Sequence, residues 1–485
     1  MTSPAPRLRV RDVTLYERPV CFRIPFRFGA ATVTHAPQAF VRARIRLADG
    51  READGIAAEL MVPKWFDKSP TLTHEENFTQ LRGALALART HMLAAETDTA
   101  FGVSAAIEAT HHKACAAAGL PGLIASFGLA LIERAVIDAL GRLLEQDVFT
   151  LVRENVLGVT AATAPDLADF AFPEFLATLR PADTIAARHT VGLIDALTQA
   201  DVEPAARLDD GLPETLEEAI AAYGHRYFKL KASGDARADV ARLTRIAEVL
   251  AALPDYRATL DGNEQFENVD AVVELWRRIG EEPRLGRLAG AILFIEQPIA
   301  RAQALAQPIH RLAELVPVEI DESDAEPGSF VQARALGYRG ISAKSCKGFY
   351  RALINRARVA RWNAEGGNRG NRGYPDNRYF MSAEDLTTQA GVAVQQDLAL
   401  ATLTGATHVE RNGHHYVDGM AGAPEEEQLR FLAKHPDLYR RDERRRDGRV
   451  RLAIRDGALA LGSLVAPGLG VSVMPDWSAM QAMEG

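Results

Sequence analysis

Hydrophobic and polar positions along the chain follow two rhythms. In the first sixty residues they alternate, partly in Leu8-Arg-Val-Arg-Asp-Val-Thr-Leu and more clearly in Phe40-Val-Arg-Ala-Arg-Ile-Arg-Leu. Successive side chains of a strand face opposite ways, so this rhythm predicts half-buried strands. Ala48-Asp-Gly parts the second run from a third near Gly55–Glu59, as a hairpin turn does. From residue 75 to 153 the apolar step lengthens to three or four, the step of a one-sided helix. Helices are predicted over Phe101–Ala118 and Leu129–Leu151, with Gly119-Leu-Pro-Gly between them. Strands followed by helices make an α+β domain.

From about residue 185 short apolar runs alternate with amphipathic stretches. The runs are Tyr227-Phe-Lys-Leu-Lys, Ala258-Thr-Leu, Ala291-Ile-Leu-Phe-Ile, Val316-Pro-Val-Glu-Ile, Gly340-Ile-Ser-Ala and Tyr379-Phe-Met. Helices such as Ala236–Ala252 and Val269–Ile279 lie between them. So many βα units in series predict a closed, TIM-like (β/α) barrel. The expected organisation is α/β: an N-terminal α+β capping domain over residues 1–155 and a catalytic barrel over 185–435. Two further strands, Val450–Ile454 and Ala458–Leu461, share a turn at Asp456-Gly, and the tail 450–485 is expected to return to the first domain. The stretch from Gly366 to Gly373 reads as a low-complexity loop, and the triplet Arg444-Arg445-Arg446, flanked by acids, as a solvated face.

Composition narrows the function. The chain has 485 residues, 47% apolar and 25% charged, which suits a folded core rather than disorder. With 64 acidic against 56 basic residues, the net charge of −8 leaves no footprint for nucleic acid. Even Leu123–Ile132 is too short to span a membrane and leads into Glu133 and Arg134. Met1–Arg11 lacks the apolar segment of a secretory signal. Cys21, Cys115 and Cys346 are few and far apart, which points to a reducing, cytoplasmic setting.

The chemistry stands at the ends of the predicted barrel strands. They present Lys229 and Lys231, then Asp261, Glu296, Asp321 and Lys344, at steps of 30, 35, 25 and 23 residues counted from Lys231. In a barrel these ends form the C-terminal mouth, where catalytic groups sit. Three converging carboxylates need a cation, and their oxygens suit Mg²⁺. No His or Cys joins them, so zinc is disfavoured. Lys231 and Lys344, on strands two and six, flank the ring from opposite sides. Lys229 shares a strand face with Lys231, and its charge is expected to lower the Lys231 pKa towards that of a base. A carbon acid beside a carboxylate is very weak, and metal contact with the enolate oxygens supplies the missing stabilisation.

Lys229-Leu-Lys231, Asp261-Gly-Asn263, Glu296-Gln-Pro298, Asp321-Glu-Ser323 and Lys344, in this order, resemble the enolase superfamily. More narrowly, they resemble the muconate-lactonizing subgroup of its mandelate racemase/muconate-lactonizing enzymes. The resemblance implies that Asp261, Glu296 and Asp321 bind Mg²⁺ and that Lys231 and Lys344 are the acid/base pair. It matches Glu384 to a glutamate after strand seven and implies a homo-oligomer. The substrate implied is a small carboxylic acid that loses its alpha proton to give a metal-stabilised enolate, most simply in a racemase, epimerase or cycloisomerase. Elimination by a dehydratase or synthase-type lyase needs the same groups. A Schiff-base lyase using Lys231 or Lys344, and a catalytically silent ligand-binding barrel, are the rival readings. Three departures stand out: Lys347-Gly-Phe-Tyr where the family has a Gly-Gly pair, Glu410-Arg-Asn412 where dipeptide epimerases have Asp-x-Asp, and a chain longer than the resemblance implies, with the excess around 150–185, 361–378 and 436–449.

Around this set, Asn263 reads as a supporting or turn residue and Glu322 as half of an ion pair. Phe26 and Phe28 in one loop, and Trp65 and Phe66 in another, are candidates to shield the site from water or simply to pack between the domains. His111 and His112 read as a solvated helix face, and His414 and His415, after Asn412-Gly, as a loop. Arg369, Arg372 and Arg378 precede strand seven and read as a mobile loop at the far face of the barrel.

Overall fold

The computed structural model describes residues 4–28, 31–366, 378–441 and 448–483. Arg369, Arg372, the triplet Arg444-Arg445-Arg446 and the Phe28 side chain lie outside the described residues.

Three long strands, β1 (Leu8–Phe28), β2 (Ala31–Leu47) and β3 (Glu52–Leu60), form an antiparallel sheet. The alternation in β2 does what it predicts. Val41, Ala43 and Ile45 are buried, while Arg42 and Arg44 reach Asp54 on the other face. Phe26 and Phe28 lie on β1, with Phe26 opposite Val33, and not in a loop as expected. Periodicity in this stretch is blurred by register shifts in β1.

Helices α1 (His74–Ala94) and α3 (Gly122–Leu144) cover the sheet, and α2 (Ala100–Ala117) packs on both of them. A Thr73–Glu76 capping box starts α1. Helix α3 begins at Gly122, earlier than its apolar period suggests, because it is buried all round and its first turns lack a polar face. It lies so close to β3 that a Cβ at Gly55 would stand 2.1 Å from the Ala135 carbonyl oxygen. His111 corrects the expectation of a solvated face: it is fully buried, with Nε2 2.9 Å from the Ala125 carbonyl, because α2 turns this position towards α3.

Eight parallel strands close the barrel: β4 (Thr184–Val191), β5 (Tyr227–Lys231), β6 (Arg257–Asp261), β7 (Ile292–Glu296), β8 (Val318–Ile320), β9 (Gly340–Ala343), β10 (Phe380–Ala383) and β11 (His408–Arg411). Strand β11 pairs with β4 to complete the ring. The first and last strands show no clean apolar run because Arg188, Thr190, His408 and Glu410 are polar residues buried by mutual pairing.

The first strands of the tail depart from the expected return to the first domain. Strand β12 (Tyr439–Arg441) pairs with β13 (Val450–Leu452), and β14 (Ala458–Ala460) joins the barrel sheet beside Thr184–Ala186. The β4–β5 pairing starts only at Arg188, so the beginning of β4 has an open edge that β14 satisfies. Among these strands, only β15 (Gln481–Ala482) reaches the N-terminal sheet, beside Tyr16 and Glu17 of β1.

Candidate active site

Alternate residues of each barrel strand share a face, so charged groups stand above an aromatic floor. Tyr227 stacks on His408 at 4.8 Å, and Phe294 meets Phe380 at 5.1 Å. One step up, Lys229 Nζ lies 3.1 Å from Asp261, 2.8 Å from Glu296, 2.8 Å from Glu384 and 2.9 Å from Glu410. Burial opposes its charge, but these four carboxylates outweigh burial and hold the ammonium well above its ordinary pKa. Lys229 is therefore not the spare positive charge beside Lys231 that its spacing suggested. Strand spacing showed the neighbouring lysine but not that acids from four other strands converge on Lys229.

The two remaining strand-end lysines each meet an aspartate. Lys231 Nζ is 2.6 Å from Asp261 Oδ2, and Lys344 Nζ is 2.7 Å from Asp321 Oδ2. Lys344 also sits over the Trp65 ring, 4.2 Å from its centre. Lys347 stands 3.4 Å from both Asp321 and Asp324. Burial works against the Asp321 charge, yet Lys344 and Lys347 hold this carboxyl far below the usual range. Glu296 goes the other way: burial first, then the charges of Asp261 and Glu384, push it well up. Burial and Glu384 do the same to Glu319, which accepts a hydrogen bond from Ser382.

Asp261, Glu296 and Asp321 are all buried at the mouth, but only Asp261 lines the cavity there. Among the described residues, the acids whose oxygens gather within 4.8 Å of one another are Glu296, Glu319 and Glu384. The cavity holds about 20 Å³, little more than one water. Lys231, Asn263 and Lys344 line it, with Glu410 and Asn412 on the strand-eight side and Phe26 and Trp65 above. Phe66 packs behind Trp65 and on Phe127, at 4.8 and 5.2 Å, away from the cavity.

The loops are held tightly. The Gln297 side chain accepts from the Asp321 and Ser323 amides at 2.9 and 3.0 Å, tying the β7 end to the segment after β8. Asn263 donates its amide to Asp261 Oδ1 at 2.7 Å and its side chain to Glu322 at 3.4 Å, leaving its own buried Oδ1 without a partner. Glu322 also meets Lys68 at 3.3 Å. Asn263, Glu264, Gln297 and Thr387 all have positive φ, a strain that clusters at functional loops. Glu384 is fully buried beneath the cavity, where it pairs with Arg188 and Lys229.

Sequence reasoning missed Glu319, Asp385, Arg188 and the clasp of the capping loop. In that clasp Arg301 donates to the Trp65 and Phe66 carbonyls at 2.8 and 2.9 Å and pairs with Glu264 at 2.8 Å. Nothing local marks these residues, since each is an ordinary charge in a loop or strand. Glu410 had a signal, its place at the end of the last barrel strand. Burial opposes its charge, but Lys229, Lys231 and Lys344 hold its carboxyl well below the usual range. Two expectations about histidines also change: His414 and His415 lie on the short helix Gly413–Tyr416, and His415 is buried. Arg378 lies just before β10, at the end of the barrel away from the mouth.

No protein-family model matches the sequence, and no curated relative matches it. Solved structures match the fold over almost the whole chain. A muconate lactonizing enzyme from Pseudomonas fluorescens complexed with muconolactone is 18% identical, with a TM-score of 0.57 and coverage of 97% of this chain and 98% of its own. A member of the enolase superfamily from Roseovarius nubinhibens complexed with magnesium is 18% identical, with a TM-score of 0.54 and coverage of 98% and 97%. A mandelate racemase/muconate lactonizing protein from Herpetosiphon aurantiacus is 16% identical, with a TM-score of 0.57 and coverage of 96% and 99%. The chain thus has the fold of the enolase superfamily: a closed (β/α) barrel with an α+β capping domain. The matched structures include members of its mandelate racemase/muconate lactonizing group.

Proposed function

We propose that the chain is an enolase-superfamily enzyme that removes the proton alpha to the carboxylate of a small acid. One observation carries the reading: Lys231 and Lys344, from opposite sides of the barrel, line one small cavity, each hydrogen-bonded to an aspartate. Asp261, Glu296 and Asp321 offer hard oxygen donors, and the gathering of Glu296, Glu319 and Glu384 within 4.8 Å of one another is a concentration of acid that a dication would cancel. Oxygen donors of this type suit Mg²⁺, which two of the matched structures contain; since the acids already within 4.8 Å of one another are Glu296, Glu319 and Glu384, holding one ion would require Asp261 and Asp321 to close on Glu296. When bound, Mg²⁺ would supply the positive charge that makes an enolate accessible.

One of the two lysines takes the alpha proton, and the other returns a proton from the opposite face. Racemisation or epimerisation follows directly. Ring closure or elimination uses the same pair when the substrate carries an internal nucleophile or a leaving group. Phe26 and Trp65 exclude water above the cavity. The small free volume requires the capping segments to move when substrate enters. Glu410 is already engaged by Lys229 and Thr190, which speaks against a substrate amino group at that point.

Three free cysteines support a cytoplasmic location. Assembly as a homo-oligomer rests on the family resemblance. Among the described residues no helix is long and apolar enough to cross a membrane.

The test is a screen of carboxylic acids in deuterated water with Mg²⁺, read by deuterium at the alpha carbon. Exchange is expected to need the metal, with Lys231→Ala and Lys344→Ala each abolishing exchange at one face. Exchange indifferent to both substitutions, or borohydride trapping of substrate on a lysine, overturns the reading.

A further inference from the structure

We propose that His189, His225 and His414 form a second metal site, suited to a transition-metal dication such as Zn²⁺, on the outer face of β4. The proposal is independent of the reaction assigned to the barrel mouth.

Three separate segments build the site. On β4, Arg188 and Thr190 turn into the barrel, where they meet Glu384 and Glu410. His189 between them therefore faces outward. His225 follows Gly224, the left-handed cap of helix Leu216–Tyr223, and leads into β5. His414 comes from the short helix beyond β11. The rings of His189 and His225 stack at 4.9 Å, and His414 approaches them at 5.5 and 5.4 Å.

One ring nitrogen from each residue lies within 4.8 Å of the other two. Three points that close fit a circle of radius about 2.8 Å, against a zinc–nitrogen bond of about 2.0–2.1 Å, so each ring needs to shift by less than ~1 Å. The nitrogens are also chemically ready. His225 Nδ1 lies 3.1 Å from the Ala187 carbonyl, which can only accept, so this nitrogen carries the proton and Nε2 the lone pair. A backbone carbonyl fixing the tautomer from behind is the usual outer support of a metal-bound histidine. His225 Nε2, His189 Nδ1 and both nitrogens of His414 are buried without a hydrogen-bond partner.

Simple aromatic packing does not account for this. A core gains nothing from several unpartnered nitrogens lying this close together, and each such group costs free energy. His189 and His225 are 2% and 0% exposed, and His414 is half-buried. Neutral imidazole is the form that binds metal. Of the nearby cations, Arg411 is paired with Asp385 and Asp397, and Arg440 is exposed to solvent. Imidazole nitrogens select zinc, copper or nickel over magnesium, so this site and the carboxylate site would not compete for one ion.

The test uses Co²⁺ as a spectroscopic probe on chelator-treated protein, with Mg²⁺ in excess to fill the carboxylate site. One Co²⁺ per chain is expected, with the visible absorption of a nitrogen-ligated ion. The signal should persist in Asp261→Asn and fall at least tenfold in affinity in His414→Ala and His225→Gln. Melting of the metal-free variants checks that they fold, and half-buried His414 is the position where the fold is expected to survive. Absence of Co²⁺ binding in the parent protein overturns the proposal. So does binding unchanged in folded His414→Ala, or binding lost in Asp261→Asn alone.

Discussion

Lys231 and Asp261 face each other directly across the β5–β6 ladder, and their side chains meet at 2.6 Å. The next ladder places Glu296 opposite Asp261. Parallel pairing thus lines up a base, an acid and a second acid on neighbouring strands. Asp261 Oδ2 touches both Lys229 and Lys231, so any dication at this oxygen competes with two lysines.

Replacing Asp261 by Asn keeps the shape and removes the charge. Mg²⁺-dependent deuterium exchange is expected to fall on the order of 100-fold or more, the scale of lost electrostatic stabilisation in a dry site. Calorimetric titration should show weaker Mg²⁺ binding in the same variant. Full activity with unaltered metal affinity contradicts a metal role for Asp261.

Lys229 carries more of the fold than Lys231 does. Lys229→Met leaves four buried carboxylates without their shared cation and should destabilise the protein by about 3–5 kcal/mol. Lys231→Met removes a contact to one acid that Lys229 still touches, so its loss should be clearly smaller. Urea unfolding of the two variants gives the comparison, and an inverted order refutes it.

Arg301 fastens the capping loop to the barrel through two carbonyls and Glu264. Arg301→Ala is expected to cost roughly 1.5–3 kcal/mol, as charge-assisted hydrogen bonds do. It should also expose Trp65 to acrylamide quenching, read against a Trp65→Phe control. A loop that stays equally shielded rules out the clasp.

Acid should weaken the fold from pH 6.5 downward. Burial pushes the His111 imidazole down to about 4, below its unfolded value of 6.5. The unfolded chain therefore binds the proton more tightly. The contribution of His111 is complete above pH 6.5, is lost as pH falls towards 4, and stays constant below that. The shift corresponds to about 3 kcal/mol. Melting temperatures across pH 4–7 should fall less steeply in His111→Gln, and identical slopes would count against this assignment.

Much of the architecture was legible because its signals are local. Alternation in Val41-Arg-Ala-Arg-Ile is a property of a few adjacent residues, and so is the βα spacing that put Lys231, Asp261, Glu296 and Lys344 at strand ends. Strand β4 was illegible because Arg188 and Thr190 are buried by partners on β10 and β11, more than 190 residues away in the chain. His111 was misjudged because its neighbours His112 and Lys113 look polar, whereas burial depends on which side of α2 meets α3.

The amino-acid order alone determined the barrel, the capping sheet and the row of acids and lysines at the strand ends, since period and spacing are carried by the chain itself. Only the tertiary structure decided that four acids enclose Lys229, that Glu410 faces the cavity and that three distant histidines meet behind β4. Those relationships depend on ring closure and ladder register, which bring together residues that no local pattern connects.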